Sequence, residues 1–241
     1  MMRTTNILLV EDETAIQELL AYNLEQSGFN AMQALDATSA MSHITNSLPD
    51  LILLDWMLPG CSGIELTCRL RAEPRTRNIP IIMLTGRCEE NDKLLGFESG
   101  VDDYITKPFS PRELIARIRA VLQSKALLSD QEIVHAGGLE LSVTSHRVSA
   151  YGSEINLSPT EFLILHFFVT HTEIVYSRLQ LIEILWGTQV NLEERTIDVH
   201  ILRIRQALEP FGLDHLVQTV RGCGYRFSGN MQTANVNTVI F

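Results

Sequence analysis

The run Leu51-Ile52-Leu53-Leu54, followed at once by Asp55, constrains this chain more than any other stretch. Four consecutive apolar side chains in so short a segment read as a strand buried on both faces, the condition of a parallel sheet covered by helices. A carboxylate at the end of such a strand needs a reason, and in open α/β sheets ligands bind outside the carboxyl ends of the strands. Pro59-Gly60 marks a tight turn just beyond, which leaves Asp55 at the lip of a crevice. Taken alone, Asp55 is equally well a residue that merely ends a strand and opens a turn. Its company breaks the tie.

Three other short strand-like runs end in polar residues. Asn6 to Val10 runs into Glu11-Asp12-Glu13, Ile81 to Leu84 into Thr85-Gly86, and Asp103 to Thr106 into Lys107-Pro108. If these strands lie parallel, their carboxyl ends converge with Asp55 and gather two or three carboxylates, one hydroxyl and one ammonium. Carboxylate oxygens suit Mg²⁺, with waters and a phosphate completing its octahedral shell. A carboxylate beside such a metal is also a nucleophile toward a phosphoryl group. Thr85 is placed to hydrogen-bond the transferred group and Lys107 to neutralise its charge. An acidic pair after a strand is often just a helix N-terminus, so the weight lies in the joint pattern.

Strands and helices alternate through residue 123, the sign of a doubly wound parallel sheet. Thr14 to Ser27 carries Ile16, Leu19, Leu20 and Leu24 as a helical stripe closed by Gly28. Further helices are expected over residues 37–45, 62–71 and 88–99, and the Ser110-Pro111-Arg112-Glu113 capping box opens a fifth that reaches Gln123. Residues 124–131 break the periodicity and read as a linker. Short runs near Ile133–His135, Leu139–Ser142, Arg147–Ala150 and Ile155–Leu157 then suit a small antiparallel sheet, with Gly152-Ser153 in its last turn.

Ser158-Pro159-Thr160-Glu161 and Ser177-Arg178-Leu179-Gln180 are two more helix starts. The first helix is apolar enough to be a domain core, and His166 within it reads as a packed histidine. A third helix, from about Glu194 to Leu208, is two-faced. Ile197, Ile201, Ile204 and Leu208 form its inner stripe; Arg195, Thr196, Val199, Leu202, Arg203 and Gln206 form the other face, with His200 and Arg205 on the flanks. By itself this is an amphipathic helix with a solvated side. Preceded by a helix and loop and followed by a hairpin, it reads as a recognition helix for a DNA major groove. The hairpin runs from Leu216 to Val220, turns at Arg221-Gly222-Cys223-Gly224 and returns through Tyr225-Arg226-Phe227. Its glycines permit φ > 0 and hold Arg221 at a rigid tip able to reach a narrow minor groove.

With these residues in hand the chain is identified as a member of the OmpR/PhoB family of two-component response regulators. Glu11-Asp12, Asp55, Thr85 and Lys107-Pro108 resemble the receiver domain, and the second half resembles the winged helix-turn-helix. Leu51 to Pro59, Asp102 to Ser110 and Val217 to Phe227 are especially similar to the phosphate-regulon members. The resemblance implies a (βα)5 α/β receiver over residues 1–123, the linker, an α+β winged helix-turn-helix over 132–228, and a tail over 229–241 with no assigned role. It implies phosphorylation of Asp55 by a sensor histidine kinase, with Mg²⁺ held by Glu11, Asp12, Asp55 and the Met57 carbonyl. Thr85 and Tyr104 become the switch pair, although Tyr104 by itself reads as a β-prone aromatic packing on a helix.

The resemblance further implies a homodimer formed through Lys93, Leu94, Phe97, Asp102, Asp103, Glu113, Ala116, Arg117 and Arg119, which otherwise read as solvated charge around an apolar centre. DNA contacts fall on Arg195, Thr196, Val199, His200, Leu202, Arg203, Arg205, Thr219, Arg221 and Tyr225, at tandem half-sites about 10 to 11 bp apart. RNA polymerase is the expected further partner. The chain departs from the family's habits at Ser124, Leu202, Gln206 and Cys223, two of them positions where relatives' recognition helices carry cations.

Composition sets limits. The net charge of −10 argues against a generic nucleic-acid binder. From Ser124 onward there are 8 Lys and Arg against 12 Asp and Glu, yet five of those cations fall between Arg195 and Arg226. No apolar run approaches the roughly 18 residues that span a bilayer. The start lacks the apolar core of a signal peptide, and Cys61, Cys68, Cys88 and Cys223 show no metal or disulfide spacing, so a cytoplasmic protein with reduced thiols is expected. Two other classes deserve weighing. A Mg²⁺-dependent aspartyl-phosphate phosphatase would place a second Asp two residues after its nucleophile, where this chain has Met57; an adaptor that binds only protein would not shift promoter DNA.

Overall fold

The computed structural model describes residues 4–86, 99–123, 133–187 and 193–229. The chain forms two compact units, one built on Met1–Lys125 and the other on most of the remainder.

In the first unit β1 (Asn6–Val10), α1 (Thr14–Gln26), β2 (Asn30–Ala34), α2 (Ala37–Asn46), β3 (Leu51–Asp55), α3 (Gly63–Ala72), β4 (Ile81–Thr85), β5 (Asp103–Thr106) and α4 (Pro111–Gln123) follow one another. The five strands make one parallel sheet in the order β2-β1-β3-β4-β5. All five residues of β3 are buried, and so are all five of β4, as continuous apolar runs between helical layers must be. Pairing Val10 with Leu54, Asp55 with Leu84 and Thr85 with Thr106 brings the carboxyl ends of four strands level.

The helices begin where their caps dictate. Asp36 and Ser39 form a capping box for α2, and Ser62 and Glu65 one for α3. The stripe expected on α1 is shifted. Leu19 is 59% exposed, while Gln17, Leu20, Ala21 and Leu24 face inward. Gln17 earns that position by hydrogen bonding, its side-chain amide donating to the carbonyls of Glu11 and Ala34 at 3.1 and 2.8 Å. The helix expected over residues 88–99 falls almost wholly outside the described residues, as do the linker and all but the first residue of the tail.

The second unit opens with an antiparallel meander, β6 (Ile133–Ala136), β7 (Leu139–Ser142), β8 (Arg147–Ala150) and β9 (Ser153–Ile155). β9 starts two residues earlier than the sequence suggests. Ala150 pairs with Ser153 across a two-residue turn in which Tyr151 and Gly152 both have positive φ, 53° and 79°. That is the geometry of the primed turns whose twist matches paired strands. A tyrosine in the left-handed region gives no local signal for it.

α5 (Pro159–Thr170) is buried on almost every side, α6 (Arg178–Trp186) follows, and α7 (Arg195–Leu208) leads to the hairpin β10 (Val217–Val220) and β11 (Gly224–Phe227). His166 is packed inside, stacked on Phe162 at 6.3 Å between centroids. Burial, then the neighbouring His171 and His146, pushes its imidazole below its ordinary range. Ser177 and Gln180 exchange the two bonds of a capping box at the start of α6. On α7, Ile197, Ile201, Ile204 and Leu208 are buried, as their spacing predicts. The hairpin is held to the rest of the unit by a reciprocal backbone pair between Tyr176 and Tyr225. Gly224 permits this, since a Cβ there would run into the Tyr176 carbonyl.

Candidate functional site

The polar residues at the carboxyl ends of β1, β3, β4 and β5 meet. Asp55 closes β3, 7% exposed, and Glu11 follows β1, 1% exposed. Lys107, just after β5, donates to both, at 2.6 Å to Asp55 Oδ2 and 2.7 Å to Glu11 Oε2. Oxygens of Glu11, Asp12 and Asp55 all lie within 4.8 Å of one another, with Asp12 exposed at the rim. The Thr85 side chain is buried, and its carbonyl accepts the Lys107 backbone N–H at 2.7 Å, which fixes the root of the lysine against β4. A cis peptide joins Lys107 to Pro108. The Met57 N–H donates to Asp55 Oδ1 at 3.1 Å, and the Met57 side chain is 63% exposed.

Local chemistry explains this layout. Gly63 begins α3 with its N–H on the Trp56 carbonyl at 2.9 Å, and a Cβ there would strike the Asp55 carbonyl. The loop after β3 therefore folds tightly back, leaving the Asp55 carboxylate at the open edge. Burial pushes the Glu11 carboxyl up to about 7; Lys107 opposes this and the Asp55 charge adds to it. Burial works against the Lys107 ammonium, but its bonds to Asp55 and Glu11 prevail and hold it above its ordinary value. Three clustered carboxylates share one ammonium, which leaves negative charge that a divalent cation can take up.

The other groups singled out from the sequence are scattered differently. Tyr104 is half-buried against the apolar core that includes Ile81 and Met83. Lys93, Leu94 and Phe97 lie outside the described residues. Asp102 is fully buried, with Oδ2 accepting from Arg71 Nη2 at 2.7 Å and the Ile81 N–H at 2.9 Å, and this corrects its placement on an outward charged face. Asp103 and Arg117 are also buried, paired at 3.1 Å, and Arg117 reaches Glu113 at 3.2 Å. A buried guanidinium paired with a buried Asp103, and with Glu113 at the surface edge, is not the solvated charge the sequence suggested. Ala116 is half-buried; Arg119 remains exposed.

On the helix-turn-helix, Arg195, Leu202, Thr219 and Arg221 are exposed. Thr196, Val199, His200 and Tyr225 are buried, and this corrects the expectation of a fully open face. His200, Arg203, Arg205 and Tyr225 have inward partners instead. Arg203 Nη1 lies 2.8 Å from Glu161 Oε1, and His200 Nδ1 lies 3.7 Å from the same oxygen. Arg205 donates to the Val217 carbonyl through Nε and Nη2, and to Thr219 Oγ1 at 2.8 Å. Tyr225 donates to Asp198. Sequence reasoning missed Glu161, Arg178 and Asp198, because charges on a helix surface resemble an ordinary solvated face. Among the described residues no helix is long and apolar enough to cross a membrane.

Residues 7–119 match the response regulator receiver domain, and residues 152–227 match the family described as transcriptional regulatory protein, C terminal. Receiver and effector thus share one chain, the build of a two-component response regulator. The chain is 55% identical to the phosphate regulon transcriptional regulatory protein PhoB of Escherichia coli, over 92% of this chain and 97% of that one. It is 51% identical to PhoB of Pseudomonas aeruginosa, over 92% and 96%. Among solved structures, the Thermotoga maritima OmpR/PhoB homologue DrrB superposes with a TM-score of 0.51 at 30% identity, covering 94% of this chain and all of that one. The chain belongs to the OmpR/PhoB family of response regulators, and it binds DNA to regulate transcription.

Proposed function

We propose that Asp55 accepts a phosphoryl group from a sensor histidine kinase, and that this drives dimerisation and binding to tandem half-sites in promoters of phosphate-regulon genes. The observation that carries the reading is the junction of Asp55, Lys107 and Glu11, bonded at 2.6 and 2.7 Å at the open edge of the sheet. The phosphate-regulon assignment rests on the relatives' identity across both domains.

Glu11, Asp12 and Asp55 offer the hard oxygen donors that Mg²⁺ takes, and the Met57 carbonyl belongs to the same loop. When bound, the ion offsets charge on the incoming phosphoryl oxygens. Lys107, 2.6 Å from Asp55 Oδ2, supplies the second positive charge. Thr85 supplies a hydroxyl, and Tyr104 a ring able to follow it between two packings. Arg195, Leu202, Thr219 and Arg221 form the exposed DNA-facing set. Arg203 and Arg205 join it when the duplex competes for their internal partners. RNA polymerase is the downstream partner and the cytoplasm the compartment. Met57 has no acidic proton to give, so the site is suited to holding the phosphoryl group rather than to hydrolytic turnover.

Incubation with acetyl phosphate and Mg²⁺ should add one phosphoryl group and should fail in Asp55→Asn. Undiminished labelling of that variant would move the acceptor elsewhere.

A further inference from the structure

The recognition helix α7 carries one acid in its first turn, Asp198, and three parts of the unit meet on it. Its Oδ1 accepts from Arg178 Nε at 2.6 Å and from the Tyr225 hydroxyl at 2.6 Å. Arg178 opens α6, and Tyr225 lies in β11 of the hairpin. The triangle closes where Arg178 Nη2 donates to the Tyr225 oxygen at 3.2 Å. The Arg178 guanidinium also stands 5.0 Å from the centroid of the Tyr225 ring, with that of Arg205 at 5.8 Å.

A phenol has a single proton. In Tyr225 that proton is committed to Asp198, and the hydroxyl is already accepting from Arg178. A Tyr225 arranged this way is a strut between α6 and α7. Exposed ion pairs are weak because two mobile side chains must be ordered for little gain. Here the tyrosine is already fixed, 5% exposed and tied through its backbone to Tyr176, so the ordering cost is small. Arg205 binds the other strand of the hairpin from one end of α7, and Asp198 binds the returning strand from the other end.

We propose that Asp198 is a positioning residue that sets the angle between the recognition helix and the hairpin, so that Arg221 reaches the duplex only when this junction is intact. The inference rests on the reading of Arg221 as a DNA contact, and the test separates the two.

The full chain, treated with acetyl phosphate, is titrated with a duplex that the unaltered protein recovers from a random-sequence pool. Arg221→Ala should weaken binding about tenfold in the unaltered background. In an Asp198→Ala background the same change should cost less than about twofold, because the arginine is already misplaced. Asp198→Asn, which keeps an acceptor for Tyr225, should restore most of the Arg221 effect. A merely structural role would lower the melting temperature of Asp198→Ala yet leave the Arg221 factor equal in both backgrounds, and that result overturns the proposal. If Arg221→Ala has no effect even in the unaltered protein, the reading of the wing as a DNA contact falls, and the proposal with it. Should Asp198→Ala not fold, Tyr225→Phe removes the same bond while keeping the ring, and the same comparison decides.

Discussion

The phenol of Tyr225 is pushed up to about 12 from an ordinary 10.0, first by burial and then by its bond to the Asp198 carboxylate, with Arg178 opposing. The folded chain therefore holds this proton more tightly than the unfolded one. The contribution to stability is fully present below pH 10 and is lost as pH rises through about 12. Ultraviolet titration of the chain's five tyrosines should show a late phenol near 12 that is missing from Tyr225→Phe. Loss of all the phenolic protons together near 10, with the fold intact, would contradict the buried bond. Single residues were also where the sequence was least legible. Asp198, Glu161 and Asp102 are charged residues that local pattern assigns to solvent; each is placed by a partner between 20 and 42 positions away, and no periodicity encodes that.

At the scale of elements, much could be read directly. β1, β3 and β4 announce themselves as apolar runs, and the helix starts at Ser62, Ser110 and Ser177 follow from capping chemistry confined to four residues. Where one element packs against the next was harder. Gln17 takes an inward place beside exposed Leu19 because of two carbonyls at strand ends, and the hairpin before β9 turns on Tyr151-Gly152, one residue earlier than Gly152-Ser153 suggests, because Tyr151 accepts a left-handed backbone. For function the decisive element is α7. Its outward Leu202, 45% exposed, is an apolar side chain on the side assigned to DNA. Leu202→Arg should tighten binding to arbitrary duplex DNA and steepen the dependence of log K on log salt by about 0.9, the effect of one added phosphate contact. Unchanged affinity and slope in a salt titration would mean that this side of α7 does not meet the backbone.

For the whole molecule, the question is how a charge at Asp55 reaches the DNA-binding unit, and dimerisation through α4 is the proposed route. The burial of Arg117 changes how this should be tested. Reversing its charge would set a new carboxylate against buried Asp103, so a loss of dimers would report damage. Arg119 is exposed on the same helix and is the cleaner probe. With beryllofluoride as phosphoryl mimic, sedimentation at roughly tens of micromolar should show dimers, and Arg119→Glu should weaken them about tenfold. A monomer throughout, with the mimic bound, would count against this route.

The bond from Lys107 to Glu11 joins residues 96 positions apart, and Asp55 lies between them in the chain. Parallel strands pair only through long crossovers, and such distant contacts form late relative to local helices and hairpins. A polypeptide emerging from the ribosome amino terminus first has made Glu11 and Asp55 long before it has made Lys107. Until β5 adds itself to the sheet, the aspartate has neither its ammonium nor the Thr85–Lys107 backbone bond beside it. If Asp55 is the acceptor proposed above, a kinase meeting an unfinished chain finds that carboxylate without its ammonium partner, and only a completed first unit offers the assembled site.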